Sequence, residues 1–113
     1  MTSGKHNYVV PVRDLAAAKV VYGALFGAPH TDQPYYVGYR VGEQEIGLNP
    51  NGHAQGMTGP VVFWFVDDIE KAVADLVDAG GTVTAPASDV GGGTTIATVS
   101  DADGNPVGLI TGP

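Results

Sequence analysis

The chain contains the stretch Val61-Val62-Phe63-Trp64-Phe65-Val66-Asp67-Asp68-Ile69. Its apolar run predicts a strand, and the Asp-Asp pair before Ile69 predicts the start of a helix directly after that strand. The earlier stretch 7–15, which ends in Val12-Arg13-Asp14-Leu15, has the same pattern, and Asp14 and Asp68 are 54 positions apart. The same offset places Gly27 on Gly81, so the end of each helical segment repeats as well as its beginning. A repeat of this kind predicts two similar halves within one chain.

The two predicted helices share their boundary chemistry. Asp14 and Asp68 can act as N-caps, because a carboxylate accepts hydrogen bonds from the free N–H groups of the first turn. Gly27 and the pair Gly80-Gly81 fit the helix ends, where a positive φ is needed. Apolar residues recur at helical spacing and predict one buried stripe on each helix. The stripes are Leu15, Ala18, Tyr22, Leu25 and Phe26 in the first helix, and Ile69, Ala72, Val73, Leu76 and Val77 in the second.

Short strands are predicted after each helix, at 28–31, 35–41 and 45–49 in the first half and at 82–90, 94–100 and 106–111 in the second. Turns rich in Gly, Asn and Asp separate them. Each half therefore reads β-α-β-β-β, and the predicted fold class is α+β. Module one spans about 6–49, a linker-like stretch covers 50–60, and module two spans about 61–111, all within a single domain of residues 1–113.

Two βαβββ modules of this size resemble the vicinal oxygen chelate superfamily, which includes glyoxalase I, bleomycin-resistance proteins and extradiol dioxygenases. The resemblance covers about residues 7–110, and its signals include the stretches 10–15 and 66–69 and the helix end at 79–81. Its most specific motif is the closing turn and strand, Asp101-Ala102-Asp103-Gly104-Asn105-Pro106-Val107-Gly108-Leu109-Ile110. The resemblance implies a curved mixed sheet around a concave pocket, with the helices on the outer face. It does not fix the reaction, because one fold hosts many.

In metal-dependent members of that superfamily, four strand positions, usually His and Glu, hold a divalent ion. The matching positions here are Asn7, Gly47, Val61 and Gly108. Only Asn7 carries a donor atom, and a neutral amide is a poor sole anchor. A register slip that put His6 in place of Asn7 would turn the core side chains of that strand outward. We therefore expect no metal and no other cofactor.

Strand alternation predicts which side chains face the pocket. Phe63 and Phe65 are in phase with Val61, whereas Trp64 is expected to pack under the helices. On strand 35–41 two sets remain open, either positions 36, 38 and 40 or positions 35, 37 and 39. The expected ligand-binding residues are Asn7, Val9, Tyr36, Arg40, Glu45, Asn49, Phe63 and Phe65. Glycine at positions 47 and 108 is expected to leave room for a ligand.

The amino-acid composition of the chain indicates which classes of binding partner are expected. With a net charge of −7 and only five Lys and Arg, the chain would be repelled by a phosphate backbone, so no nucleic acid partner is expected. Without cysteine there are no disulfides and no thiolate ligands. The apolar runs are too short to span a membrane, and the N-terminus lacks a secretory apolar region. These features predict a cytoplasmic protein without a membrane partner. The three histidines, His6, His30 and His53, share no regular spacing and are expected at the surface.

Three functions remain open from the sequence. The favoured one is a metal-independent binding module, similar to the bleomycin-resistance branch, that sequesters an antibiotic or other small organic metabolite. The second is a superfamily enzyme, a lyase, isomerase, epimerase or dioxygenase, which without a metal would use Glu45 or a tyrosine for acid–base work. The third is an accessory subunit with a vestigial pocket. A homodimer is also expected, because the half-sheets have edges to cover and such members of the family usually pair. No catalytic residue is assigned.

Overall fold

The computed structural model describes residues 2–112 and contains two successive βαβββ modules, which confirms the α+β fold class. The first module comprises β1 (His6–Pro11), α1 (Leu15–Phe26), β2 (Thr31–Gln33), β3 (Tyr36–Val41) and β4 (Gln44–Asn49). A short 3-10 helix at His53–Gln55 lies between the modules in the sequence. The second module comprises β5 (Val61–Phe65), α2 (Ile69–Asp78), β6 (Thr82–Gly91), β7 (Thr94–Ser100) and β8 (Pro106–Thr111). The chain forms two compact units, one spanning Asn7–Val61 and the other combining the residues before Asn7 with those after Val61.

In the first unit the strand order is β2-β3-β4-β1. β1 runs parallel to β4, and the β2–β3 and β3–β4 pairs are antiparallel. One face of these strands packs against α1 to form a hydrophobic core, whose buried members are Val10, Val12, Val37, Tyr39, Ile46 and Leu48. Because strand side chains alternate, the intervening residues point to the face opposite α1. On β3 that face holds positions 36, 38 and 40, which answers the question that the sequence left open.

The second unit repeats this arrangement with the strand order β5-β8-β7-β6. β5 runs parallel to β8, and the other two pairs are antiparallel. The core under α2 is formed by Ile69, Ala97 and Leu109, with half-buried apolar side chains around them. Trp64 pairs with Leu109 in register, and its half-buried ring lies 4.6 Å from the ring of His6. Gly108 and Phe63, which pair with each other, therefore point away from α2.

Both helices begin as the sequence predicts. The Asp14 carboxylate accepts a hydrogen bond from the N–H of Ala17 at 3.0 Å, and the Asp68 carboxylate accepts one from the N–H of Lys71 at 3.1 Å. α1 ends at Gly27, whose φ of 85° a residue with a Cβ rarely adopts. The repeated Asp start is therefore a repeated N-cap.

Three details differ from the sequence-based expectations. The first strand after α1 begins at Thr31 rather than at residue 28, because Pro29 has no N–H to give to a ladder. Leu25, expected in the buried stripe of α1, is 74% exposed. Val77 of α2 is likewise exposed, so each helix buries a narrower stripe than its pattern predicts. Within residues 2–112, neither helix is long and apolar enough to cross a membrane.

Candidate functional site

A cluster of polar side chains lies on the face of the first module opposite α1. The Tyr36 hydroxyl donates a hydrogen bond to Oε2 of Glu45 at 2.7 Å. Nε2 of His30 lies 2.9 Å from Oε1 of the same carboxylate, and Oγ1 of Thr31 lies 3.0 Å from the other ring nitrogen of His30. Nη2 of Arg40 lies 3.9 Å from Glu45 Oε1. One carboxylate is thus surrounded by three donor-bearing side chains, and we refer to Tyr36, Glu45 and His30 as the Glu45 cluster.

Strand register explains why these residues meet. Arg40 of β3 and Asn7 of β1 are the two neighbours of Glu45 across the sheet, and Val9 lies beside Gly47. His30 comes from the segment just before β2, where its backbone N–H donates to the Gly38 carbonyl at 3.0 Å. The sequence placed Glu45, Tyr36 and Arg40 among the candidate ligand residues but gave His30 no role. The signal that could have found His30 is a hairpin pairing between the 31–33 and 36–38 segments, which places Thr31 opposite Gly38 and His30 next to that pair.

The Tyr36 ring covers Gly47. A Cβ placed on Gly47 would lie 2.5 Å from Cε1 and 2.7 Å from Cζ of that ring, and one placed on Gly38 would lie 3.0 Å from Cε2. The two glycines therefore make room for a tyrosine of the same chain. The expectation that glycine at position 47 leaves open space for a ligand is wrong, because Tyr36 fills that space.

The second module has an equivalent arrangement. The Phe63 ring covers Gly108, and a Cβ there would lie 2.6 Å from Phe63 Cδ1 and 2.7 Å from the Val62 carbonyl oxygen. Phe63 is only 8% exposed. The space expected over Gly108 is therefore also filled, in this case by one of the aromatic residues predicted to line the pocket.

These contacts test the fit of a divalent metal at the family's ligand positions. Gly47 and Gly108 offer no donor atom, and aromatic rings occupy the space into which a longer side chain at either position would project. Val61 is apolar and buried. Among the residues that the structure describes, no three His, Asp or Glu side chains come together as a potential ligand set. The residues at these positions do not fit such an ion.

The remaining candidate residues have individual environments. Asn49 uses both ends of its amide within its own chain: Nδ2 donates to Oε1 of Gln55 at 3.1 Å, and Oδ1 accepts from the N–H of Asn51 at 2.9 Å. Phe65 lies below the ammonium group of Lys5, which is 4.5 Å from the ring centroid. Lys5, Phe65 and Asp67 line an open depression of about 350 Å³ in the second unit.

Burial and the hydrogen bond to Glu45 raise the pKa of the Tyr36 phenol above its usual range. Tyr36 is therefore a protonated donor near neutral pH and is unsuited to act as a base. Glu45, with a side chain 25% exposed, presents a carboxylate that can accept further hydrogen bonds. Arg40, with a side chain 62% exposed, adds a planar donor group at the edge of the cluster. The cluster can recognise polar groups on a ligand, and its His30–Glu45 pair can also move a proton.

A family model matches the chain over residues 5–109, and the family is the Glyoxalase/Bleomycin resistance protein/Dioxygenase superfamily. A protein of Mycobacterium tuberculosis named "Putative glyoxylase CFP32" is 33% identical over 118 aligned positions, which cover 94% of this chain and 45% of the relative. The chain thus spans about half the length of the curated relatives that it matches.

Solved structures share the fold at low sequence identity. A crystal structure from Legionella pneumophila, described as an NAD-dependent benzaldehyde dehydrogenase, has a TM-score of 0.77 at 12% identity, covering 96% of this chain and 100% of that one. A superfamily member from Vibrio splendidus 12B01 has a TM-score of 0.71 at 12% identity, covering 95% and 97% of the two chains. At such identities these similarities concern the fold alone.

Proposed function

Because the chain belongs to the Glyoxalase/Bleomycin resistance protein/Dioxygenase superfamily, we propose that it is a metal-independent binding protein for a small organic ligand, which it sequesters at the Glu45 cluster. The observation that carries the proposal is the fixed contact set around one half-buried carboxylate, with Tyr36 on one oxygen and His30 on the other. A binding site needs polar groups held in one orientation before the ligand arrives, and these contacts provide that.

The surroundings of the cluster indicate the class of ligand. Tyr36 offers an aromatic surface, Glu45 offers acceptors, and Arg40 offers donors at the exposed edge. The net charge of −7 favours a cationic ligand over an anionic one. We infer a flat or aromatic ligand with a cationic or hydrogen-bond-donating group directed at Glu45, such as an antibiotic or a metabolite. The proposed contact residues at the Glu45 cluster are Asn7, Val9, Tyr36, Arg40, Glu45 and Asn49, with His30 added from the structure. Phe63 and Phe65 of the second unit stay predicted ligand contacts of that unit.

Titration calorimetry with metal-free bleomycin as the first probe tests this proposal, alongside native mass spectrometry of the purified protein to identify any ligand that co-purifies. The decisive variant is Glu45→Gln, which removes the charge but keeps an acceptor for Tyr36. We expect it to weaken binding of the identified ligand at least tenfold, about 1.4 kcal/mol.

Glu43→Gln is the matched control, because Glu43 is an exposed residue in the turn before β4 and its replacement makes the same change of charge. Equal affinities for the two variants would contradict a ligand site at Glu45. Elemental analysis of protein purified without chelators tests metal independence. About one Zn, Ni, Fe or Mn ion per chain that is lost on mutation of Glu45 or His30 would refute it.

The His30–Glu45 pair favours a second candidate, a metal-free enzyme that transfers a proton at a carbon next to a carbonyl group. In this candidate the Glu45 carboxylate takes the proton from the ligand carbon and later returns it, while His30 at 2.9 Å and Tyr36 at 2.7 Å hold the carboxylate in place. It predicts that the identified ligand takes up deuterium from D₂O in the presence of the protein, as followed by proton NMR, that Glu45→Gln abolishes the uptake, and that His30→Gln slows it. Binding without uptake supports the sequestering function.

A further inference from the structure

The imidazole ring of His30 has a polar partner at each of its two nitrogens. Nε2 lies 2.9 Å from Oε1 of Glu45, and Nδ1 lies 3.0 Å from Oγ1 of Thr31. Turning the ring over would bring carbon atoms to both positions and lose both contacts. The orientation of the ring is therefore fixed by two neighbours, one on the strand β4 and the other at the start of β2.

These partners determine which nitrogen carries the ring hydrogen. The Glu45 carboxylate has acceptors only, so Nε2 of His30 must carry a hydrogen in order to bond to it. In a neutral imidazole Nδ1 is then an acceptor, and the hydrogen that lies between Nδ1 and Oγ1 of Thr31 belongs to the hydroxyl group. Thr31 therefore donates to His30, and His30 donates to Glu45.

The short strand β2 places the Thr31 hydroxyl where this contact needs it. Thr31 pairs with Gly38, and a Cβ on Gly38 would lie 3.6 Å from Cβ of Thr31 and 3.4 Å from Nε2 of His30. Thr31 and His30 thus lie on the side of the sheet that Gly38 faces, opposite α1. The next residue, Asp32, points to the other side, where its carboxylate accepts a hydrogen bond from Nζ of Lys19 on α1 at 2.8 Å. The alternation along β2 therefore turns Thr31 towards the Glu45 cluster.

This assignment of hydrogens decides what the cluster offers to a ligand. The hydroxyl hydrogens of Tyr36 and Thr31 and the ring hydrogen of His30 all bond within the chain. The Glu45 carboxylate has about four acceptor positions and uses two of them for these bonds, so acceptor positions remain. Nη2 of Arg40 lies 3.9 Å from Glu45 Oε1, which is beyond hydrogen-bond distance. A ligand bound at Glu45 therefore has to bring N–H or O–H groups of its own.

We propose that Thr31 is a positioning residue of the Glu45 cluster, whose hydroxyl donates to Nδ1 of His30 and so holds the ring in the orientation and tautomer that give Nε2–H to Glu45. The opposite tautomer would bring a nitrogen lone pair against the carboxylate and leave Oε1 of Glu45 without this donor. The effect on ligand binding rests on the function proposed above, whereas the tautomer is a property of the ligand-free protein.

Nitrogen-15 NMR of the ligand-free chain tests the assignment directly. A spectrum that correlates the ring nitrogens with the carbon-bound ring protons distinguishes the two tautomers at about pH 8, where unperturbed histidines are neutral. The signals of His30 are those that disappear in His30→Gln. We expect a protonated Nε2 and an unprotonated Nδ1, with the Nδ1 signal upfield of that of a nitrogen lone pair without a hydrogen bond.

Two substitutions separate the hydroxyl group of Thr31 from the shape of its side chain. Thr31→Val keeps the branched shape that suits a strand but has no hydroxyl, so the Nδ1 signal of His30 should move downfield. Thr31→Ser keeps the hydroxyl and loses the methyl group, so it should keep the wild-type signal. Thr84→Val is the matched control, because Thr84 lies on the edge strand β6 of the other unit and its hydroxyl donates to the Thr98 carbonyl at 3.1 Å. It should leave the His30 signals unchanged.

Titration calorimetry with metal-free bleomycin measures the consequence for binding. Thr31→Val should weaken binding about fivefold, the effect of one neutral hydrogen bond, and Thr31→Ser should stay within about twofold of the wild type. A wild-type protein that does not bind this probe counts against the ligand proposal alone, because the ring signals of the free protein decide the role of Thr31.

A hydrogen on Nδ1 of His30 in the wild type overturns the proposal, whether Nδ1 alone or both nitrogens are protonated. An Nδ1 signal that is the same in Thr31→Val as in the wild type also overturns it. So does an effect of Thr31→Ser as large as that of Thr31→Val, because the contact would then depend on the branched shape of the side chain and not on its hydroxyl group.

Discussion

Replacing Gly47 with Ala should destabilise the protein through the Tyr36 ring. The new Cβ would meet the ring at 2.5–2.7 Å, so the ring must move by about an ångström to reach ordinary carbon contact. That movement breaks the 2.7 Å hydrogen bond to Glu45, which is worth about 1.5–3 kcal/mol with a charged acceptor. Strain adds about 1 kcal/mol, and the stiffer unfolded chain returns about 0.4–1 kcal/mol. The expected loss of stability is about 2–3 kcal/mol.

The double-mutant cycle with Tyr36→Ala isolates this cause. Without the ring, Gly47→Ala should no longer cost stability and should raise the free energy of unfolding by about 0.4–1 kcal/mol, because the φ of Gly47 lies outside the left-handed region. Gly108→Ala is the control. Its Cβ would meet the Val62 carbonyl oxygen at 2.7 Å as well as the ring of Phe63, so Phe63→Ala should not rescue it.

Urea unfolding followed by the fluorescence of Trp64 measures all six variants and the wild type. A Gly47→Ala cost that persists in the Tyr36→Ala background would show that Tyr36 does not cover Gly47. A stable Gly47→Ala protein that binds the ligand more tightly would also refute the assignment.

Three further predictions follow from single contacts. Folding raises the pKa of the Tyr36 phenol, so the stability that the protonated phenol contributes is complete below the unfolded pKa of about 10 and is lost as the pH rises above that value. Urea unfolding between pH 8 and 11 should show this decline in the free energy of unfolding. Tyr36→Phe should make the decline smaller. Asp14→Ala should lower the free energy of unfolding by about 1 kcal/mol through loss of the N-cap, whereas Asp14→Asn should retain most of it, and a reversed order would contradict the cap. Val9→Phe should cost about 1–3 kcal/mol because its ring competes with Tyr36 for the space over Gly47, and Tyr36→Ile in the same chain should recover most of the loss, as thermal unfolding would show.

The fold could be predicted from the sequence because its signals are local and repeated. Asp14 and Asp68 as caps, Gly27 as a stop, and the alternation that buries Val10 and Val12 each depend on neighbouring residues only. The first strand after α1 was misplaced because three residues, Thr31–Gln33, give too short a pattern to fix a boundary. Leu25 fits the helical spacing of the apolar residues but is exposed. The spacing predicts which side of the helix is buried, but it does not predict how wide the buried stripe is.

The candidate site was predictable only in part. Alternation placed Glu45 and Tyr36 among the residues facing away from the helix, but it gives no distances between strands. His30 was missed because its approach to Glu45 depends on a hairpin whose strand was displaced by three residues. The space over Gly47 was misjudged because a glycine in a strand has two meanings: it leaves room either for a ligand or for a neighbouring side chain. The sequence alone does not say which neighbour turns towards it.

The two modules cover equivalent glycines with rings from different strands. At the offset of 54, Val9 corresponds to Phe63, and each lies beside its glycine on the parallel neighbour strand. On the antiparallel neighbour, Gly47 pairs with Gly38 and Gly108 pairs with Thr98. Two residues before these partners stand Tyr36 in module one and Ile96 in module two. A large ring on one neighbour is thus matched by an aliphatic residue on the other. Only in module one does the ring carry a hydroxyl, and this hydroxyl holds Glu45. The exchange therefore places a hydrogen-bonded polar cluster beside the glycine of module one and a buried apolar ring over the glycine of module two, so the two modules are similar in fold and different in the chemistry they offer.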